Sequence, residues 1–383
     1  TPGRRPLSLI TEGTDMAETT LSSIIDKATE TTAGRLIFGI GGPIVVAIVF
    51  YSSFIFMRDS EASRLAIATV ALIVGVGGVW LLFGALNSLV EVFPIKARDA
   101  LRPLAFVLPG ALILLGYIIL PAMRTIWISF FNRTSEQFVG LQNYITIFTN
   151  EEMLVTLRNT LGWVIIVPFV SVALGLVIAV MADRLSLRWE KINKSLVFLP
   201  MAISFVGASV IWRFIYAYQP PGDAQIGLLN AVVTGLGGDP RAWWTVEPWN
   251  NFFLMFIMVW LQTGFAMVIL SAAVKGVPRD LLDAARVDGA GEIRSFFYVT
   301  IPYIAGTILT VLTTILFLVL KIFDIVWVIT SGDYGTHIVA SRFYEETFVF
   351  RNFGRGSTLA VILLIFVVPF MVRNIRQMNE NRS

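Results

Sequence analysis

The sequence predicts an all-α bundle that crosses a membrane eight times. Three observations lead there. Of 383 residues, 56% are hydrophobic and only 14% are charged, and the mean hydropathy of +0.76 is too high for a soluble fold of this length. The apolar residues collect in separate runs of about 20, the length that spans a bilayer as a helix. Those runs are continuously apolar rather than alternating, which selects helices over a β-barrel.

In chain order, the spans read as Leu36–Met57, Leu65–Val90, Leu104–Met123, Leu161–Met181, Ser195–Ala217, Phe252–Val274, Tyr303–Ile329 and Ser357–Val372. Residues 1–33 are polar and of mixed charge, without the apolar core of a signal peptide. The chain does not begin with Met, and Met16-Ala-Glu-Thr-Thr reads as a natural start, so residues 1–15 are expected to lie upstream of it and carry no fold. Residues 34–100 hold the first two spans and 101–383 the other six. Basic residues gather in alternate loops: Arg184, Arg188, Lys191 and Lys194 follow the fourth span, and Lys275, Arg279, Arg286 and Arg294 follow the sixth. This positive-inside bias predicts that both termini are cytoplasmic and that residues 281–302 face the cytoplasm.

Several chemistries are excluded. The sequence has no cysteine, hence no disulfide, thiol catalysis or Cys-ligated metal, and its single histidine, His337, cannot supply a two-histidine zinc motif. No Gly-Lys dipeptide is present, so the phosphate-cradling loop of an ATP-hydrolysing chain is missing. No catalytic residue and no cofactor are expected on this chain. Energy must come from a partner or from an ion gradient. The net charge of +3 sits in short loops between spans, the pattern of membrane topology rather than of nucleic-acid binding.

The charged island Leu281–Pro302 between two apolar runs reads as two short helices. Asp283 and Arg286 lie three apart on one face, and Leu281, Leu282 and Ala285 make a small apolar patch. Ala284 and Ala285 keep the surface low, so another protein can approach the backbone closely. Gly289 stands where the first helix must stop, because glycine reaches positive φ at little cost. Ile293, Phe296 and Phe297 return at helical spacing, and Pro302 suits the first turn of the next helix. Spacing alone also fits an ordinary amphipathic connector.

The residue pattern goes further. Asp283-Ala284-Ala285, Gly289, Val299, Ile301 and Pro302 resemble the cytoplasmic "EAA" loop of permease subunits in binding-protein-dependent ABC importers, with Asp where that family most often has Glu. Asp-Ala-Ala-x-x-Asp-Gly-Ala looks like the family's carbohydrate branch. Phe138–Tyr144, Arg158–Thr160, Ile211–Tyr216 and Ile226–Asn230 extend the resemblance over roughly residues 100–372. Two spans ahead of a six-helix core are also similar to the larger maltose-type subunit, although the folded outer domain of that subunit is missing. Gln262–Ala273 and Val319–Val326 look most like α-glucoside and glucosylglycerol permeases.

The resemblance implies a type I ABC importer fold in a bacterial inner membrane. It further implies a second permease chain, two copies of a cytoplasmic ATPase carrying ATP and Mg, an external sugar-binding protein, and no nucleic acid. By the same resemblance, Leu281, Leu282, Asp283, Ala284, Ala285 and Gly289 couple to the ATPase, and Trp260, Leu261, Gln262 and Phe265 lie near the sugar. From the residues themselves, Gln262 is polar in an apolar run and should face the bundle interior, as a sugar contact or a helix–helix hydrogen bond. Lys321 and Asp324 have the three-residue spacing of an intrahelical pair, either structural or lining the pathway. The outer segment from Pro220 to Asn250, with Trp243, Trp244 and Trp249, is an interfacial aromatic belt or a docking surface. An ion-gradient sugar carrier is the nearest rival reading; a membrane enzyme lacks a cluster of Asp, Glu or His at one interface.

Overall fold

The computed structural model describes residues 32–380, so the reading of Met16 as a start lies outside the described residues. The chain divides into two compact units, Thr1–Pro121 and Ala122–Ser383. In the first, α1 (Thr32–Asp59) and α2 (Arg64–Glu91) form a hairpin followed by α3 (Ile95–Leu114) and a π turn at Leu115–Ile119. The Ser63 hydroxyl caps α2 by accepting the Ala66 N–H at 3.3 Å. Gly78 lies under the Phe50 ring, where a Cβ would approach to 2.7 Å. Most of the apolar surface of these helices faces outward, as lipid-facing helices require.

The second unit carries the core. After α4 (Leu120–Ile128) come the short α5 (Gln142–Thr149) and the long α6 (Glu151–Asp183). Asn150 caps α6, its side chain accepting the Met153 N–H at 3.2 Å, and Glu151 and Glu152 complement the dipole in the first turn. Then follow α7 (Leu187–Phe198) with a 3₁₀ turn to Ala202, α8 (Phe205–Ile215), α9 (Leu228–Gly235) and α10 (Trp249–Lys275). The remaining helices are α11 (Arg279–Val287), α12 (Glu292–Ser295), α13 (Ile301–Tyr303), α14 (Ala305–Leu320), α15 (Asp324–Thr330), α16 (Val339–Tyr344) and α17 (Phe353–Glu380). Among the described residues no strand forms; Phe131 and Phe138 make one isolated bridge.

The core runs along α6 and α10. Trp163, Val167, Leu254, Met258, Leu261 and Met267 bury their side chains there. Small residues set the spacing: a Cβ on Gly175 would lie 2.6 Å from Ala266 Cβ and 2.7 Å from the Met267 nitrogen. Gly264 does the same against α7, where a Cβ would meet the Val197 carbonyl at 2.4 Å. Such close backbone approach supplies helix association where lipid removes the hydrophobic drive.

Six helices are long and apolar enough to cross a membrane, and two bent pairs bring the number to eight among the described residues. The expected eight spans correspond to these six helices and two bent pairs, so two of the eight are not straight. Within Ser195–Ala217 the chain turns by 102° between Leu187–Ala202 and Phe205–Ile215. Pro200 occupies the tight turn, and Ser204 caps the new helix by accepting the Gly207 N–H at 3.1 Å. Tyr303–Ile329 is likewise corrected: Glu292–Tyr303 and Ala305–Leu320 meet at 69°, and the helix breaks again at Lys321–Phe323. Breaking there buries Ile322, 2% exposed, while leaving Lys321 outside. Pro302 stands in the three-residue turn before the first of these bends.

Candidate functional site

The island between α10 and α14 folds as two short helices around a tight turn. In α11, Arg286 donates to Asp283 across one turn at 2.9 Å, an exposed pair that favours the helix modestly. Gly289 ends α11 with φ +80°. The Gly289 N–H reaches the Arg286 carbonyl at 3.0 Å and the Ala290 N–H the Ala285 carbonyl at 2.9 Å, the paired bonds of a Schellman cap. No atom stands within 4 Å of where a Gly289 Cβ would be. Glycine is therefore required by the backbone angle and not by crowding. Leu281, Asp283, Ala284 and Gly289 are exposed, whereas Leu282 and Ala285 are half-buried; Leu282 faces a crevice toward Val180 and Val274. The apolar patch is thus split, with Leu281 outward and Leu282 inward.

The stem of this segment is held by charges that sequence reasoning missed. Lys275 ends α10, and its ammonium contacts Glu190 and lies 3.6 Å from Asp183. Lys194 donates to Asp183 at 3.0 Å and to Glu190, and it contacts the Ser271 hydroxyl, which donates to Asp183 at 3.1 Å. Two acids and two bases thereby tie the ends of α6, α7 and α10 together. On the far side of the turn, Arg184 donates to Glu292 at 2.8 Å. The available sequence signal was the alternation of acid and base at Asp183-Arg184 with complements at Lys275 and Glu292, but only the fold brings these four together.

The expected pathway residues divide. Trp260 is half-buried and meets Trp212 edge-on at 5.5 Å. Phe265 packs against the main core. Leu261 and Gln262 are buried, Gln262 at 3% exposure, so the expectation that Gln262 faces the bundle interior holds. Its Oε1 finds no hydrogen-bond partner, which removes the helix–helix bond through that atom and leaves an unspent acceptor. Lys321 and Asp324 do not share a helical face: Lys321 closes α14, Asp324 opens α15, and no ion pair joins them. That pairing is corrected by the break that buries Ile322.

Roughly the length of α6 away, its 33 residues rising ~50 Å, a cavity of about 780 Å³ opens between the start of α6, the start of α10 and residues 332–337. Asn159 donates to the carbonyls of Gly335 and His337 at 2.7 and 2.9 Å, and Asn250 to that of Tyr334 at 2.6 Å. These bonds hold a loop in which Ser331 and Tyr334 adopt positive φ. His337 Nε2 lies 3.2 Å from Glu345. Burial, then the nearby Arg342 charge, lowers the His337 pKa to about 4, so at neutral pH the imidazole is uncharged and its approach to the carboxylate is not a salt bridge. The aromatic stretch is only partly a belt. Trp243 and Trp244 pack on the core, with the Trp243 indole donating to buried Asn230 at 3.0 Å, whereas Trp249 is exposed.

The described residues thus form a multi-span membrane bundle that presents a capped helical turn on a charge-braced stem. The chain belongs to the family of binding-protein-dependent transport system inner membrane components, matched over residues 167–382. It is 56% identical over 272 residues to the osmoprotective compounds uptake permease protein GgtC of Synechocystis sp., covering 71% of this chain and 97% of that one. It is 46% identical over 285 residues to the alpha-glucoside transport system permease protein AglF of Rhizobium meliloti, covering 74% and 84%. A crystal structure of a bacterial alginate ABC transporter, in complex with alginate pentasaccharide-bound periplasmic protein, superposes with a TM-score of 0.61 at 20% identity, over 72% of this chain and 93% of that one. The fold is that of a type I ABC importer permease. The chain is a permease subunit and not an enzyme.

Proposed function

We propose that this chain forms half of the path by which an ABC importer admits a small α-glucoside or a glucosylglycerol-like glycoside. The 46% identity to the alpha-glucoside permease AglF supports the glycoside class, and the 56% identity to GgtC, a permease for osmoprotective compounds, supports a small neutral solute. A second permease chain completes the path, and an external binding protein delivers the glycoside. Two copies of a cytoplasmic ATPase hold ATP and Mg, one of them docking on the segment around α11. Both termini are cytoplasmic, in line with the placement of basic residues. When ATP closes the ATPase dimer, the segment moves and the bundle changes from inward- to outward-facing.

In this reading Leu281, Asp283 and Ala284 give the ATPase its exposed contact, and Gly289 fixes the turn. Leu282 and Ala285 seat the segment on the bundle. Trp260, Phe265 and the unspent Gln262 carbonyl serve the sugar, as an aromatic face and an amide acceptor; Leu261 lines the wall behind them, and Lys321 and Asp324 act separately.

The test is hydrolysis by the assembly purified in nanodiscs with its binding protein and a panel of glycosides. Phosphate release stimulated by an α-glucoside is expected. In cells expressing the assembly, uptake that collapses with a protonophore while ATP is held constant would instead support an ion-gradient carrier.

A further inference from the structure

The α11 segment leaves the bundle through Lys275 and returns through Glu292, and these residues pair with adjacent positions at one helix end. Lys275 approaches Asp183 at 3.6 Å, and Glu292 accepts from Arg184 at 2.8 Å. The polarity is complementary, base to acid at one stem and acid to base at the other. The two tethers differ in kind. Asp183 sits in the four-charge cluster, where the Lys194, Asp183 and Glu190 side chains are 20% exposed or less and the Lys275 side chain is 50% exposed. The Arg184–Glu292 pair stands in the open, at 67% and 74%. Between them lies a crevice of about 660 Å³ lined by Val180, Arg184, Leu282 and Phe296. The segment therefore meets the end of α6 through two charge contacts bordering a void, not through a filled core.

We infer that Asp183 and Arg184 form a two-point linkage passing motion of the α11 segment into α6, with Asp183 as the pivot and Arg184–Glu292 as a releasable latch. The inference rests on the ABC-importer reading above and adds residues outside the α11 motif. The pivot persists because removing one member of a buried charge group leaves another uncompensated. The latch opens readily because an exposed pair has solvent and salt as alternatives. With Arg184 and Glu292 paired at 2.8 Å the latch is closed, and displacement of the segment on ATPase closure breaks it first.

The experiment compares hydrolysis by the wild-type assembly in nanodiscs, with and without glucosylglycerol and binding protein, against Arg184→Glu, Glu292→Arg and the double exchange. Each single reversal should raise unstimulated hydrolysis about 1.5- to 5-fold, the range an exposed pair supports, and the double exchange should return it to the wild-type rate. Asp183→Asn should keep unstimulated hydrolysis but lose its stimulation by glucosylglycerol and binding protein. A bulk folding role alone does not predict restoration by exchange. Because the chain contains no cysteine, thiols placed at 184 and 292 can also be bridged by a short bis-maleimide, and the bridge should abolish stimulation. Unchanged single variants, a double exchange that fails to restore, or a bridged assembly turning over at the wild-type rate would each overturn the linkage alone. A wild-type assembly without any hydrolysis would overturn the importer reading and the linkage with it.

Discussion

Replacing Gly289 separates backbone geometry from side-chain contact in the α11 segment. The residue holds φ +80°, a region that costs an L-residue roughly 1–2 kcal/mol. A Cβ there meets no atom within 4 Å, so Gly289→Ala introduces strain without a clash in this chain. A change of 1–2 kcal/mol shifts a local equilibrium about 5- to 30-fold. That range is enough to unwind the cap of a nine-residue helix while leaving the spans in the membrane. Glycoside-stimulated hydrolysis by the assembly should fall by that factor in Gly289→Ala. It should be abolished in Gly289→Val, whose β-branch tolerates the left-handed region worst. Gly289→Asn should retain most activity, because asparagine enters that region at lower cost. Equal loss in the Asn and Val variants would refute the backbone argument, since side-chain bulk against the ATPase would then be the cause. Wild-type activity in Gly289→Val would remove the turn from the coupling path altogether.

Three further outcomes follow from the packing and the polar groups. Gly175→Val should prevent recovery of a folded assembly by size exclusion, since the 2.6 and 2.7 Å approaches involve Ala266 and the α10 backbone and overpacking costs about 1–3 kcal/mol or more; Ala266→Gly should recover part of the milder Gly175→Ala defect. Gln262→Leu should hold or raise the thermal midpoint, because a buried acceptor without a partner costs about 1–3 kcal/mol, yet should reduce glycoside stimulation; a lowered midpoint would make the amide structural. For His337, whose folded pKa of about 4 lies below the ordinary imidazole value of 6.5, the unfolded chain binds the proton first on acidification. Its contribution is therefore present above pH 6.5 and is lost as pH falls toward 4, by about 2 kcal/mol at pH 5. The midpoint should drop across that window in wild type and drop less in His337→Gln.

How much was legible in the sequence depends on the range of the interaction. The spans could be located because each is a local run of apolar residues, and the end of α11 because Gly289 carries its own conformational demand. Asp283 and Arg286 paired as expected because three residues along an uninterrupted helix fix their distance. The same spacing failed for Lys321 and Asp324, since it presumes a helix that the burial of Ile322 interrupts. Hydropathy could not show that break, nor the 102° turn after Ala202, because a bent apolar run has the same composition as a straight one. The charge cluster was hidden for a different reason. Asp183, Glu190, Lys194 and Lys275 read singly as loop charges of a membrane topology, and their partners lie up to 92 residues apart in sequence, from Asp183 to Lys275. Topology put basic residues on one side of the membrane, and folding then used two of them to hold two acids. A positive-inside count and a structural brace can thus be the same residues, so mutating Lys194 or Lys275 perturbs orientation and coupling together, whereas Asp183→Asn tests the brace with the basic residues left in place.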